Sequence, residues 1–249
     1  SVTGVQTCAL PISLKGAGHV VGFLGDGIND APALHAADVG ISVDDAVDVA
    51  KEAADLVLMD NDLDVLRRGV ELGRATVTNT LKYVAITTSA NFGNMISMAA
   101  AAVFLPFLPM LPMQVLLNNF LYDLSEVPIP ADRVDDADLA RPHRWNLAEV
   151  RRCMLILGSL SSLFDAATFT LLLAWFHANP TQFHTGWFVE SLASQVLVIF
   201  VIRTRGPVLR SRPARALAWT SLGVVALAVV LPWLPIASTL GFAPLPLRW

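Results

Sequence analysis

The sequence predicts two parts: a small α/β unit, followed by an all-α bundle of about five membrane-spanning helices. The first observation is composition, because 54% of the residues are hydrophobic and the mean hydropathy of +0.56 is too high for an ordinary soluble domain. The second is the distribution of charged residues along the chain. Many of them precede a series of apolar stretches that are joined by short loops. The net charge of -4 gives no support for nucleic-acid binding.

The α/β unit is predicted from short apolar runs that alternate with a helical pattern. The run at residues 20–24 is expected to form a buried strand, and residues 38–43 and 55–59 are expected to form two more. Between the last two, residues 44–54 place their apolar side chains on one face of a helix. Strands that alternate with helices indicate a parallel sheet.

A ten-residue string, Gly25–Leu34, follows the first strand and has the sequence GDGINDAPAL. Gly25 and Gly27 bracket the single carboxylate of Asp26, and glycine permits backbone conformations that other residues avoid. The chain is therefore expected to turn sharply at this end of the strand.

The rest of the string predicts a helix start. Asn29 is a candidate cap, and Pro32 suits a first helical turn. Asp26 and Asp30 then come together at the carboxyl end of a strand, where open α/β sheets place their ligands. Carboxylate oxygens suit Mg²⁺, and helix amides suit phosphate. The alternative is a capped turn that binds no metal.

Five apolar stretches are long enough to be interpreted as membrane spans, since about 20 residues cross a bilayer. An amphipathic stretch at residues 63–76 is predicted to continue as one helix into the first span. The predicted spans are residues 77–104, 113–129, 153–176, 186–202 and 216–234.

Arginine is concentrated in alternate loops of this bundle. Residues 132–152 and 203–215 are arginine-rich, whereas the intervening turns contain no Lys or Arg. The positive-inside rule places the arginine-rich loops in the cytoplasm, and the α/β unit on the same side.

Polar residues inside the predicted spans indicate a candidate cation site. Asn91 and Asn94 are three apart on the first span; Asn119 and Asp123 are four apart on the second, with Tyr122 beside them. Polar groups at such depth are costly and are usually functional or paired. One carboxylate with neutral oxygens suits a hard cation, and the alternative is hydrogen bonding that holds the helices together.

The remaining polar residues of the bundle are given structural interpretations. Asn118 is interpreted as an interhelical hydrogen-bonding residue, and His177 and His184 as solvated surface residues. Three others are interpreted as packing partners rather than ligands: Asp165, Glu190 and Gln195.

The string Gly25–Leu34 resembles the hinge motif of P-type cation-transporting ATPases. The resemblance implies that the α/β unit is part of a haloacid-dehalogenase-like phosphorylation domain. It also implies that Asp26 and Asp30 hold the catalytic Mg²⁺, that Asn29 and Asp30 support the phosphate, and that the two glycines shape this cofactor site. ATP would bind to a domain that this sequence does not contain.

The region from Gly18 onward looks most like the bacterial magnesium-transporting P-type ATPases. This likeness implies Mg²⁺ as the transported divalent cation, carried through the lipid bilayer of the bacterial cytoplasmic membrane. The segments that carry it are residues 89–94, 104–110, 117–123 and 149–165.

The sequence departs from the calcium pumps at two positions of the candidate cation site. Calcium pumps have Glu where Asn94 stands and Thr where Tyr122 stands. These departures imply one ion site rather than two.

The resemblance divides the chain into four regions. Residues 1–13 match nothing in the family, so we interpret them as foreign and assign them no function. Residues 14–62 correspond to the end of the phosphorylation domain, residues 63–76 to a stalk helix, and residues 77–249 to the transmembrane domain.

The family's phosphorylated Asp-Lys-Thr-Gly motif does not occur in the sequence. We therefore expect the chain to need the N-terminal portion of the same pump as its partner and to be inactive alone. Three alternatives stay open: a pump for Ca²⁺ or another cation, a passive channel or other non-catalytic membrane fragment, and a soluble phosphatase.

Overall fold

The structure is a computed structural model that describes residues 4–60, 62–140, 143, 145–204 and 211–246. The chain divides into two compact units, Ser1–Leu72 and Gly73–Trp249. The predicted domain boundaries stay predictions.

The N-terminal unit is built around a three-stranded parallel sheet of order β1-β2-β3. A 3-10 turn at Ile28–Asp30 lies between β1 and α2. The elements are α1 (Gly4–Gly16), β1 (Gly22–Leu24), α2 (Ala31–Ala36), β2 (Val39–Val43), α3 (Asp48–Ala53) and β3 (Leu56–Leu58).

The prediction of a parallel sheet is confirmed, but the prediction that the first strand is buried is wrong. Leu24 is exposed, because β1 pairs only with β2 among the described strands. The buried strand is β2, in which Ile41 and Ser42 are covered. Helix α3 begins later than predicted, at Asp48, since the amide of Ala46 donates to the carbonyl of Val43 in a turn.

The helices after β3 begin with α4 (Leu63–Phe104), one helix of 42 residues, which confirms the predicted continuous helix through residues 63–104. The others are α5 (Pro112–Glu126), α6 (Asp136–Leu139), α7 (Leu147–Thr170), α8 (Pro180–Ile202) and α9 (Arg215–Val230). A π-helical segment at Leu171–Trp175 extends α7, and loops and short turns join the remaining helices.

In the described part of the chain, three helices are long and apolar enough to cross a membrane: Leu147–Trp175, Pro180–Ile202 and Arg215–Trp233. They correspond to the last three predicted spans. The first two predicted spans stay predictions, since α5 has only 15 residues and α4 carries many polar side chains.

The bounds of the fourth predicted span stay a prediction, but the helix that contains it begins at Pro180, before residue 186. Asn179 caps it: its side-chain oxygen accepts from the amide of Gln182 at 2.9 Å. The side-chain oxygen of Gln182 accepts in return from the amide of Asn179 at 3.1 Å. This reciprocal pair satisfies two amides that a helix start leaves unpaired.

Small residues let α4 and α7 approach closely. A Cβ atom on Gly158 would lie 2.9 Å from the carbonyl oxygen of Ser89, and one on Gly93 would lie 2.9 Å from the carbonyl oxygen of Gly158. Glycine at both positions is therefore required by backbone contact, as is common between membrane helices.

A buried ion pair connects the loop after α5 to the end of α8. The Nε atom of Arg203 donates to Asp132 at 2.8 Å, and both side chains are 3% exposed. Asp132 also accepts from the amide of Ala214 at 2.8 Å, immediately before α9. Nδ2 of Asn79, in α4, donates to the carbonyl oxygen of Asp132 at 3.0 Å.

The carboxylate of Asp38 joins the segment before β1 to α1 through two polar contacts. It accepts from the amide of Val21 at 2.9 Å and pairs with Lys15 at 3.1 Å. The amide hydrogen bond, and after it the lysine, hold the pKa of Asp38 below its ordinary value. The stabilisation is therefore fully present above the unfolded-state pKa, about 3.9, and is lost as pH falls through the folded-state pKa.

An NMR titration of the Asp38 carboxyl carbon should give a midpoint below that of Asp in an unstructured peptide. Lys15→Gln should raise this midpoint only in part, because the Val21 amide makes the larger contribution. A midpoint at the peptide value, or a full return to it in Lys15→Gln, would contradict this reading.

Candidate functional site

The loop after β1 is held by hydrogen bonds to its backbone from β2 and from the residue before α3. The amide of Gly25 donates to the carbonyl of Ile41 at 3.0 Å, and the hydroxyl of Ser42 donates to the carbonyl of Gly25 at 2.9 Å. The carbonyl of Asp26 accepts from the amide of Val47 at 3.1 Å. The loop thus has a defined path at the carboxyl end of the strand.

The side chain of Asp30 accepts two hydrogen bonds from the backbone of this loop. Its Oδ2 atom accepts from the amide of Gly27 at 3.0 Å and from the amide of Asp26 at 3.2 Å. A Cβ atom on Gly25 would lie 2.5 Å from the Cβ of Asp30, so this position requires glycine. The structure therefore brings Asp26 and Asp30 together, as predicted, but gives Asp30 a bond to the loop backbone.

The prediction that Asn29 caps the following helix is wrong. The cap residue of α2 is Asp30, because Asn29 lies inside the 3-10 turn Ile28–Asp30. Pro32 stands in the first turn of α2, as expected. Asn29 and Asp26 are both exposed.

The loop fits a Mg²⁺ ion only in part. Asp26 presents its carboxylate to solvent, whereas one oxygen of Asp30 is already bonded to two amides. In the described residues, no group of three or more His, Cys, Asp or Glu side chains is arranged to hold a metal. This loop can supply one solvent-facing carboxylate, and further ligands would have to come from elsewhere.

The second candidate site is a cavity of about 350 Å³ in the helical unit. Four asparagines from α4 and α5 line it: Asn91, Asn94, Asn118 and Asn119. Methionine side chains, Val115, Trp187 and Ser191 complete the lining. Amide oxygens are neutral, hard ligands that can replace part of the hydration shell of a cation.

Helix α8 positions one of these asparagines. The hydroxyl of Ser191 donates to Oδ1 of Asn94 at 3.2 Å, and Nε2 of Gln195 donates to the same hydroxyl at 2.7 Å. Because the glutamine occupies an acceptor site on the serine oxygen, the serine hydrogen is directed toward Asn94. Gln195 thus has a packing role, in agreement with its sequence interpretation.

The structure does not bring all the predicted cation ligands together. The cavity lining formed by the described residues includes neither Tyr122 nor Asp123. Asp123 is exposed and Tyr122 is buried. Successive residues of a helix point in different directions, so Asp123 lies off the buried face that carries Asn118 and Tyr122.

Asn118 is the residue that the sequence interpretation missed. It is 2% exposed, lines the cavity, and its Oδ1 atom has no hydrogen-bond partner within the described residues. An interhelical hydrogen-bonding residue would have such a partner. The four-residue spacing from Asn118 to Tyr122 was the available signal, since it places both on one helix face.

Asp165 occupies the centre of a satisfied polar cluster. Its Oδ2 atom accepts from the hydroxyl of Ser97 at 2.6 Å, and its Oδ1 atom accepts from Nε1 of Trp187 at 2.8 Å. The carboxylate joins α4, α7 and α8, in agreement with its interpretation as a packing partner.

One of the two histidine predictions is wrong. His184 is buried, and its Nε2 lies 2.7 Å from the carbonyl oxygen of Leu108, because α8 begins before this residue rather than after it. His177 is exposed, as predicted.

Three helices that are long and apolar enough to cross a membrane, together with a cavity lined by asparagine side chains, are features of a membrane protein with a polar site between its helices. The family model described as "Cation transporting ATPase, C-terminus" matches residues 107–249. The chain belongs to this family.

Curated relatives extend the similarity to nearly the whole chain. The chain is 52% identical over 241 residues, 95% of its length, to a protein named "Magnesium-transporting ATPase, P-type 1" from Salmonella typhimurium. It is 51% identical over the same span to the protein of that name from Escherichia coli K12, and 33% identical over 170 residues to an endoplasmic reticulum calcium ATPase from Aspergillus fumigatus. The chain spans 27% of the length of the first two and 18% of the third.

Replacing Asp165 tests its structural role. Asp165→Asn leaves one acceptor oxygen for the two donors, Ser97 and Trp187, so one donor loses its partner. We therefore expect a loss of about 1–3 kcal/mol in the free energy of unfolding. Thermal denaturation in detergent measures it, with the exposed Glu149→Gln as control. Equal midpoints for the two variants would show that the cluster does not stabilise the bundle.

Proposed function

We propose that this chain is the C-terminal part of an ATP-driven P-type pump that moves Mg²⁺ across the bacterial cytoplasmic membrane. The observation that carries the proposal is the 52% identity over 241 residues to a magnesium-transporting ATPase, a span that includes nearly all of the chain. The string Gly25–Leu34 and the asparagine cavity agree with it.

The chemistry proposed for the pump is phosphoryl transfer from ATP to an aspartate, followed by hydrolysis. Bound Mg²⁺ would offset charge on the transferred group. Asp26 would provide one ligand, and Asp30, with the two glycines, would hold the loop in the shape that presents it. Asn29, exposed on the same loop, is proposed to support the phosphate.

The transport part of the proposal rests on the amide cavity. Asn91, Asn94 and Asn119 line it and would ligate the transported cation. Tyr122 and Asp123 are retained as proposed ligands. Tyr122 lies one turn from Asn118 on the buried face of α5, whereas Asp123 is exposed and would reach the cavity only if α5 rotated. Such a change fits a mechanism in which the cation site alternates between two arrangements.

The orientation of the pump is proposed from the arginine distribution. The described part of the loop at residues 132–152 and the predicted loop at residues 203–215, part of which lies outside the described residues, would both be cytoplasmic. The N-terminal unit would then lie where ATP is available.

A pump for Ca²⁺ is the second candidate, because 170 residues are 33% identical to a calcium ATPase. Transport by proteoliposomes with Mg²⁺ or Ca²⁺ as the cargo, at constant MgATP, would distinguish the two pumps.

The role of Asp26 is tested in the complete pump. Asp26→Asn should lower ATP turnover by about a hundredfold, as expected when a preorganised electrostatic group is removed from a reaction centre. Asp44→Asn, an exposed carboxylate of the same unit, is the matched control and should leave turnover unchanged. Full turnover in Asp26→Asn would show that Asp26 does not hold the catalytic metal.

The chain alone should not hydrolyse ATP, because its sequence contains no Asp-Lys-Thr-Gly motif. The measurement is phosphate release by the purified chain in detergent, with Asp26→Asn as the background control. Metal-dependent turnover that Asp26→Asn abolishes would refute this expectation.

A further inference from the structure

On the buried face of α5, three oxygen atoms make no hydrogen bond to another element among the described residues. They are Oδ1 of Asn118, the hydroxyl of Tyr122 and Oε1 of Glu126. All three side chains are at most 2% exposed. Residues four apart lie one above the other at about 6 Å of helix rise, so these oxygens form a row along one side of α5.

Glu126 is the charged end of this row. Its Oε2 atom lies 2.8 Å from the hydroxyl of Thr87, which donates to it. The same hydroxyl also lies 3.0 Å from the carbonyl oxygen of Tyr83. One hydroxyl hydrogen is thus shared between two acceptors. The phenol of Tyr122 interacts with the same carboxylate, but neither neighbour carries a positive charge, so the charge of Glu126 is not neutralised by them.

The other fully buried carboxylates of this unit have partners. Asp132 pairs with Arg203, Asp138 with Lys82 and His143, and Asp165 accepts two hydrogen bonds. For Glu126, the described residues provide no Lys, Arg or His within ion-pair distance. A buried carboxylate without a counter-charge costs several kcal/mol. This position is therefore suited to reversible binding of a cation.

The other end of the row opens into the amide cavity. Asn118 lines that cavity together with Asn91 and Asn94, and its free oxygen is two helical turns from Glu126. The carboxylate, the phenol and the amide are all hard oxygen ligands of the kind that Mg²⁺ prefers.

We propose that Glu126, Tyr122 and Asn118 form a pathway for a hard divalent cation along the buried face of α5. Glu126 binds the cation at one end, and Asn118 delivers it to the cavity. This pathway rests on the proposed pump function, and it adds Glu126 and Asn118 to the residues that contact the cargo.

The test uses the complete pump in proteoliposomes with constant MgATP and a varied concentration of free cargo Mg²⁺. Glu126→Gln keeps the shape of the side chain and removes its charge. We expect the free Mg²⁺ concentration for half-maximal transport to rise about tenfold or more, the size of effect seen when partners of a bound metal are lost. Glu126→Asp should recover part of the affinity, and the exposed Glu149→Gln should match the unchanged pump.

Asn118→Leu, which removes the free oxygen at similar size, gives a second measurement that does not depend on Glu126. It should raise the same half-maximal concentration. If Glu126→Gln folds and its half-maximal Mg²⁺ concentration is unchanged, the pathway is overturned. If Glu126→Gln does not fold, an unchanged half-maximal concentration in Asn118→Leu overturns the pathway instead. Failure of the unchanged pump to transport Mg²⁺ would instead overturn the proposed function.

Discussion

The helical unit depends most on the buried pair between Arg203 and Asp132. The guanidinium group donates to Asp132, to the carbonyl and hydroxyl oxygens of Ser211, and to the carbonyl oxygen of Arg212. Only arginine has a planar fork of donors that can satisfy so many acceptors at once. Because Asp132 also binds the amide before α9 and the side chain of Asn79, one pair fixes α4, α5, α8 and α9 at the same level. A buried polar network whose members are all hydrogen-bonded specifies one arrangement of the helix ends that it joins.

Two properties distinguish structural polar residues from candidate ligands in this bundle: whether the polar atoms have hydrogen-bond partners, and where the residue lies. Asp165 and Gln114 are fully buried and satisfied: Asp165 accepts two hydrogen bonds, and Nε2 of Gln114 donates to the carbonyl of Gly241 at 2.9 Å. Asn118 and Glu126 are as deeply buried, yet each retains an oxygen without a partner in the described residues. An unpaired buried polar atom is costly, but Gln195 and Asn79 each keep one as well. What distinguishes Asn118 is that it also lines the cavity. What distinguishes Glu126 is a buried carboxylate with no counter-charge among the described residues.

The sequence was sufficient to predict the parallel sheet, the sharp loop at its edge and the uninterrupted helix of 63–104, because each depends on a local pattern. It was not sufficient for properties that depend on distant contacts. The burial of His184 follows from where Asn179 caps α8, and the bond of Asp30 to its own loop follows from the close approach to Gly25. The exposure of β1 follows from which strands pair with it.

Helix α5 is the clearest case in which the sequence pattern does not determine burial. Its sequence offers two polar faces: one contains Asn119 and Asp123, and the other contains Asn118, Tyr122 and Glu126. The sequence prediction took Asn119 and Asp123 from the first face and only Tyr122 from the second, whereas the tertiary packing buries the second face. Spacing alone predicts which residues share a face, whereas only the neighbouring helices determine which face is turned inward.

A pathway with its charge at one end and neutral amides at the other has a physical advantage for a cation that must be released. Mg²⁺ dehydrates reluctantly and usually keeps several water molecules. The cavity of about 350 Å³ has room for a partly hydrated ion, since a water molecule occupies about 30 Å³. A carboxylate inside this cavity would hold the ion tightly, whereas amide oxygens compensate for lost water without adding a full charge. Conduction requires binding strong enough for entry and weak enough for exit, and the separation of Glu126 from the four asparagines would meet both requirements.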